Sequence, residues 1–306
     1  MNGVIVVNKP QEFTSFDVVA VMRRLCRQRK IGHTGTLDPM ATGVLPLLLG
    51  SAAKAQDILP DSDKAYAAGF KLGIRSDTLD IWGTLSGEQA VNASYKEIQS
   101  LLPKYTGEIM QIPPMYSAVK KDGVRLYDLA RQGIEIEREP RKVFVSELKL
   151  LDYDDKTTHG QLYISCSKGT YIRTIIDDIG QDLCCGAVMT SLVRTRACGF
   201  SLEDAISLDE IREITKNGEQ PENIADRVHS SESLFISYRG ITVSEKQALR
   251  FANGNPIDIE RTQIKNSAAN GEIIRVSGRD NIFLGLGKAD TEKGLIKIYK
   301  LFPVND

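Results

Sequence analysis

A chain of 306 residues sets a prior of about two domains. Its 42% hydrophobic and 26% charged residues fit a globular protein, with no apolar run near the roughly 18 residues of a membrane span. Thirty-nine Lys and Arg against 40 Asp and Glu leave a formal net charge of −1, so bulk charge does not mark a nucleic-acid binder.

The opening residues read as a mature strand over 4–7 rather than a signal peptide. Thr14 or Ser15 is placed to cap a helix with Val18, Met22 and Leu25 on one face. A glycine-rich loop follows over 32–43, and then an apolar run over 44–49. Residues 52–59 read as a short helix, 64–72 as a strand ending at Gly73, and 94–102 as a helix. Pro113-Pro114 breaks the chain, 115–119 resumes extended, and a further helix around Val124, Tyr127 and Leu129 stops at Gly133.

Residues 143–153 and 162–167 are strands joined by a polar turn. Gly169-Thr170 opens a helix with Ile172, Ile175, Ile176, Ile179 and Leu183 at core spacing, and 188–196 returns as strand. The polar stretch 217–233 reads as a connection. Beyond it come a strand and short helix over 241–252, then short strands at 273–276, 282–285 and 295–301, the pattern of a small β-rich module.

The five cysteines form no C-x-x-C, Cys184 and Cys185 are adjacent, and the three histidines are scattered. This argues against a zinc site or a disulfide frame and gives the expectation of reduced thiols, no structural metal and a cytoplasmic location. Basic residues cluster at Arg23, Arg24, Arg27, Arg29 and Lys30, at Lys120, Lys121 and Arg125, and at Arg138, Arg141 and Lys142. Any one cluster reads as a solvated face; three beside loop motifs lean toward a polyanion partner.

Gly32-His33-Thr34-Gly35-Thr36-Leu37-Asp38-Pro39-Met40-Ala41-Thr42-Gly43 carries three glycines and three threonines around one aspartate. Such a loop presents one acid beside one imidazole, with Pro39 biasing Asp38 away from helical backbone. It is too long and too rich in special residues for an ordinary surface turn, and it matches neither a Walker A loop nor a dinucleotide fingerprint. Tyr66 begins a strand after an acidic turn; alone it reads as a core or edge tyrosine. Tyr171 and Arg173 lie at a strand-to-helix junction, where one of them is expected to face a cleft. Leu192-Val193-Arg194-Thr195-Arg196 reads by default as an edge strand with protective charges. No paired carboxylates, serine elbow or zinc signature appear. A lone aspartate with aromatic and basic residues suits chemistry on a flat uncharged ring attached to a phosphate backbone, a base extruded from RNA.

The glycine-rich loop closely resembles the signature of the TruB-type tRNA pseudouridine synthases. So do Asn8-Lys9-Pro10, Lys64-Ala65-Tyr66, Pro113-Pro114-Met115-Tyr116-Ser117-Ala118-Val119-Lys120, Cys166-Ser167-Lys168-Gly169-Thr170-Tyr171-Ile172-Arg173-Thr174 and Leu192-Val193-Arg194, in family order. The tail, through Leu249-Arg250-Phe251-Ala252-Asn253-Gly254-Asn255-Pro256, resembles a PUA RNA-binding module. The resemblance implies an α+β pseudouridine synthase fold with a largely antiparallel mixed sheet and a C-terminal β-rich PUA-like barrel. The domains are placed at 1–232, including a helical connection near 200–232, and at 233–306. The implied activity is isomerisation of uridine to pseudouridine at position 55 in the T-loop of tRNA by base flipping, with no metal or organic cofactor. Asp38 takes the catalytic position as nucleophile, with attack at ribose C1′, addition to uracil C6 and a ribose-proton route all left open. His33, Tyr66, Tyr171, Arg173, Leu192 and Lys9 take substrate-binding positions: His33 in place of displaced RNA, Tyr66 stacked on the base, Tyr171 on base or ribose, Arg173 paired with the acid, and Leu192 in the pocket. The implied partner is the tRNA T-arm, without a membrane and with the enzyme a monomer. Where the family often has glycine after Lys-Pro-x, this chain has Glu12. A non-catalytic tRNA-binding or folding protein, and a guide-dependent synthase, are the alternatives; the intact acid, tyrosine and arginine set and the lack of a basic extension argue against each.

Overall fold

The computed structural model describes residues 1–60 and 63–302. Within them the chain forms two compact units, one from residues 1–38, 45–60 and 198–302, the other from 39–44 and 63–197.

In the first unit, strand Gly3–Lys9 runs parallel to Ile206–Ser207, and Ile31–His33 pairs antiparallel with Leu47–Leu49 at the end of strand Thr42–Leu49. Helix Ser15–Leu25 starts where the sequence places it. Thr14 accepts from the Asp17 amide while Asp17 accepts from the Thr14 amide, a reciprocal cap worth about 1 kcal/mol. Its Val18, Val19, Met22 and Leu25 face pack with Ile5, Val7, Leu45, Leu47, Ile211 and Ile224 in one fully buried core. The stretch 217–233, expected to be a connection, is a chain of short 3-10 turns. The expected helix over 52–59 is also a 3-10 turn, Gly50–Ala55.

Farther along this unit, strands Arg239–Thr242, Ile273–Ser277, Phe283–Asp290, Leu295–Leu301 and Ile257–Asp258 lie side by side in that order. The first pair is parallel and the rest antiparallel. Helix Glu245–Ala252 packs Phe251 into their apolar core of Ile241, Ile257, Ile274, Val276 and Ile296.

The second unit is built on an antiparallel run of long strands: Ala187–Ala197, Lys64–Leu72, His159–Cys166, Arg141–Asp154 and Gly107–Gln111. Thr42 and Gly43 add to its first strand in parallel. Helix Ile172–Asp182 presents Ile172, Ile175, Ile176 and Ile179 to the core, matching the spacing in the sequence. Residues 115–118 bend irregularly instead of resuming an extended path. Ser117 N donates to Met115 O and Tyr127 N to Ser117 O, so local turns satisfy the backbone that a strand would have paired.

Candidate active site

The first unit holds Lys9, His33 and Asp38. Lys9 ends strand Gly3–Lys9 and is fully buried. A buried ammonium needs acceptors, and Nζ donates to the carbonyls of Pro10 (2.9 Å) and Phe13 (2.5 Å). These bonds close the turn over residues 10–13, where Glu12 takes φ of +70°, the left-handed backbone that a glycine adopts without strain. The turn delivers Thr14 to the helix cap and Ser15 to the Asp38 loop. Ser15 Oγ accepts from Leu37 N at 2.8 Å and lies 3.3 Å from Leu37 O, and both residues are buried. The backbone just before Asp38 is therefore clamped from the helix start. His33, half-buried, ends the Ile31–His33 strand opposite Leu47, and Thr34 N donates to Pro46 O at 3.2 Å. Asp38 itself is half-buried, between the buried Leu37 and Met40.

The second unit holds Tyr66, Tyr171, Arg173 and Leu192. In strand register Tyr66 lies opposite Arg194, and Ala68 opposite Leu192. Residues two apart on one strand share a face, so Tyr66, Arg194 and Leu192 stand together on one side of the sheet. All three are buried, with Arg194 at 0% exposure. The edge-strand reading of 192–196 is therefore corrected: Ala187–Ala197 is flanked on both sides, and only Arg196 of its two arginines is exposed. Arg194 Nε donates to Val44 O at 2.7 Å. At Gly43, with φ of +102°, a Cβ would collide with the Arg194 backbone, so only glycine lets the loop exit lie against this strand.

Arg173 sits in the first turn of helix Ile172–Asp182 and is 5% exposed. Its Nη1 donates to Thr78 O at 2.8 Å and its Nη2 to Tyr116 O at 2.9 Å, and Asp80 Oδ2 lies 3.6 Å from Nη1. Tyr171 precedes the helix. The side-chain amide of the buried Gln111 grips its backbone at both ends, accepting from Tyr171 N (2.8 Å) and donating to Tyr171 O (3.0 Å). The sequence gives no part to Asp80 or Gln111, gives Ser15 only a capping part, and gives Arg194 only a place in an edge strand and in the family motif. For Asp80 a signal existed: Ser76-Asp77-Thr78-Leu79-Asp80 is dense in turn-forming acids and hydroxyls. Gln111 and Ser15 act across 60 and 22 residues and leave no local mark.

A cleft of about 660 Å³ flanks this group, lined by Tyr116, Ile112, Ile134, Thr174, Asp177 and Asp178 among others. Its acids are unusual. Burial raises the Asp177 carboxyl above its ordinary range, and burial with the charges of Asp177 and Asp182 pushes Asp178 up to about 6. Asp182 is held low by bonds from Lys104 and Tyr105. Among the described residues no three His, Cys, Asp or Glu side chains converge into a metal-holding group, and no helix is long and apolar enough to cross a membrane.

Family models match along the chain: the N-terminal domain of TruB family pseudouridylate synthases over residues 23–172, a tRNA pseudouridylate synthase B C-terminal domain over 173–235, and a pseudouridine synthase II TruB C-terminal model over 240–301. The tRNA pseudouridine synthase B of Clostridium tetani is 43% identical over 98% of this chain and 99% of its own length. The chain belongs to the TruB family of pseudouridylate synthases. A Pseudomonas fluorescens tRNA pseudouridine synthase B is 39% identical to this TruB-family chain over 95% of it and 93% of the relative. Among solved structures, a chain of a Cbf5-Nop10-Gar1 complex superposes with a TM-score of 0.74 at 24% identity, over 98% of this chain and 85% of that one. A chain of an H/ACA RNP bound to a substrate RNA containing 2′-deoxyuridine gives 0.75 at 21%, over 99% and 86%. The α+β pseudouridine synthase fold, with its β-rich C-terminal module, is thus the fold of this TruB-family enzyme.

Proposed function

We propose that this enzyme converts uridine to pseudouridine in tRNA, at position 55 of the T-loop, with Asp38 as nucleophile. The uracil leaves the helix stack, its N1–C1′ bond breaks and a C5–C1′ bond forms, while C5 loses a proton and N1 gains one. Composition is unchanged, so the protein's task is to extrude, hold and turn one base. Tyr66 stacks on that base, Leu192 closes the apolar side, and Tyr171 meets the base or its ribose. Lys9 contributes through the turn it holds, and His33 fills space that the displaced RNA vacates.

The observation that carries the reading is the fixed guanidinium of Arg173, buried and bonded to two carbonyls beside Asp80, in a chain of this family whose loop over 32–43 resembles the signature loop. Positioning of this kind supplies rate without a cofactor's chemistry. The residue division proposed is a catalytic part over 1–232 and an RNA-binding part over 233–306, supported by the separate apolar core of the latter.

The test is incubation with an unmodified tRNA transcript, followed by site-specific mapping of pseudouridine. The parental chain is expected to modify position 55, and also a bare T-arm hairpin without added RNA or protein. Asp38→Asn is expected to yield no product while binding tRNA within about threefold of the parent. Parental turnover by Asp38→Asn would falsify the assignment.

A further inference from the structure

The chain contains one tryptophan, Trp82. It lies in the turn joining the paired short strands Arg75–Ser76 and Leu85–Ser86, and the residue is 50% exposed, with Ile81 and Leu85 exposed beside it. Among the described residues no aromatic ring stacks on the indole and no cation lies over it. The turn beneath is rigid. Trp82 N donates to Asp80 Oδ1 at 3.0 Å, Thr84 N to Asp77 Oδ1 at 2.8 Å, and Ile81 N to Met189 O at 2.9 Å on the neighbouring strand. At Gly83 a Cβ would meet the side-chain oxygens of Ser76, Asp77 and Thr78, which crowd the inside of the turn. One carboxylate therefore links the two groups: Oδ1 of Asp80 holds the Trp82 backbone, and Oδ2 lies 3.6 Å from Arg173 Nη1.

We propose that Trp82 is a stacking platform for an unpaired base of the RNA substrate adjoining the reacting uridine; this rests on the function proposed above. A flat, uncovered π-face on a rigid turn is what an unstacked base needs, and stacking tolerates any base identity. Arg75, exposed on the first strand of the same hairpin, supplies a cation for the adjoining phosphate. The apolar patch is three side chains, far short of the roughly 1,000 Å² a stable protein interface buries, which favours a base over a protein partner.

The experiment uses the full chain and its single indole as reporter. The parental protein is titrated with an unmodified T-arm hairpin and with a blunt RNA duplex of equal length. Dissociation constants are then measured for Trp82→Ala, Trp82→Leu and Trp82→Phe. Emission is expected to quench on the hairpin and not on the duplex. The Ala and Leu variants are expected to bind the hairpin about 5- to 150-fold more weakly, with Phe recovering most of the loss. Unchanged melting temperatures check that the exposed substitution leaves the fold intact. Pseudouridine formed by the parent with silent emission and an unaltered Ala dissociation constant overturns the inference alone. So does parental affinity in the Leu variant, which marks apolar contact without stacking, or loss of self-association with unaltered RNA affinity, which marks a protein contact. No pseudouridine from the parent overturns the proposed function and this inference with it.

Discussion

Arg173 is fixed from two stretches of chain: Thr78 and Asp80 on the hairpin side and Tyr116 after the double proline. Asp80 is the member whose loss can be read cleanly. Its Oδ1 accepts from Thr78 Oγ1 and Trp82 N, and its Oδ2 faces the guanidinium. Asp80→Ala leaves those donors without their acceptor and frees the guanidinium to shift. A misplacement of about 1 Å in a positioning group costs on the order of 100-fold in rate. Single-turnover pseudouridine formation is expected to fall by about that factor, with tRNA affinity within about threefold. Asp80→Asn, which keeps an acceptor for Thr78 or Trp82, is expected to recover part of the rate. A comparable loss of affinity and rate would assign Asp80 to RNA binding instead.

At the scale of one element, helix Ile172–Asp182 is apolar on its core side and acidic on its cleft side. The Asp178 carboxyl titrates near 6, above its unfolded range, so the folded state holds that proton more tightly than the unfolded chain does. The stability this contributes is present at pH below the ordinary carboxylate range and is lost as pH rises through about 6. Asp178→Asn is therefore expected to raise the melting temperature at pH 8 and leave it nearly unaltered at pH 4. Discounted for partial solvent screening, the gain at pH 8 is about 1 kcal/mol. Thermal melts of the two proteins across that range check it; a gain of equal size at both ends would remove the carboxyl as its cause.

Much of this element level was legible in the sequence. Strand Lys64–Leu72 has the bounds read from the sequence, the start of helix Ser15–Leu25 follows from its capping Thr14, and a helix stands where 94–102 reads as one. The Asp38 loop and the Tyr171–Arg173 junction stood out because special backbone and chemistry coincide there. The position of Arg194 was not legible. A strand's own sequence does not name its neighbours, and the bond that uses this arginine reaches Val44, 150 residues away. The bends over 115–118 were also missed, since two prolines predict a break but not the path after it.

For the molecule as a whole, the apolar core around helix Ser15–Leu25 has, among the described residues, no buried member beyond Ile224. Phe235, Tyr238, Phe283 and Phe302 instead form an aromatic cluster, with ring centroids 5.4 to 6.3 Å apart for the pairs made by Phe235. Glu232 reaches Arg275 at 2.6 Å, a partly exposed pair of small energetic weight. A chain ending at 232 thus loses no residue of the first core. It is expected to melt cooperatively within a few degrees of the parent while binding tRNA at least tenfold more weakly. Calorimetry and filter binding measure the two; loss of the cooperative melt would show that the catalytic part needs the tail to fold.

The cysteines have a practical consequence. No disulfide ties them, and Cys26, Cys166, Cys185 and Cys198 are buried, with burial pushing the Cys26 and Cys166 thiols up to about 11. Cys184, just past the end of helix Ile172–Asp182, is the exposed one. A maleimide dye at neutral pH thus has a single ready attachment point without mutagenesis. Paired with the lone indole as donor, it forms a native ruler for watching the hairpin and the helix end as RNA arrives.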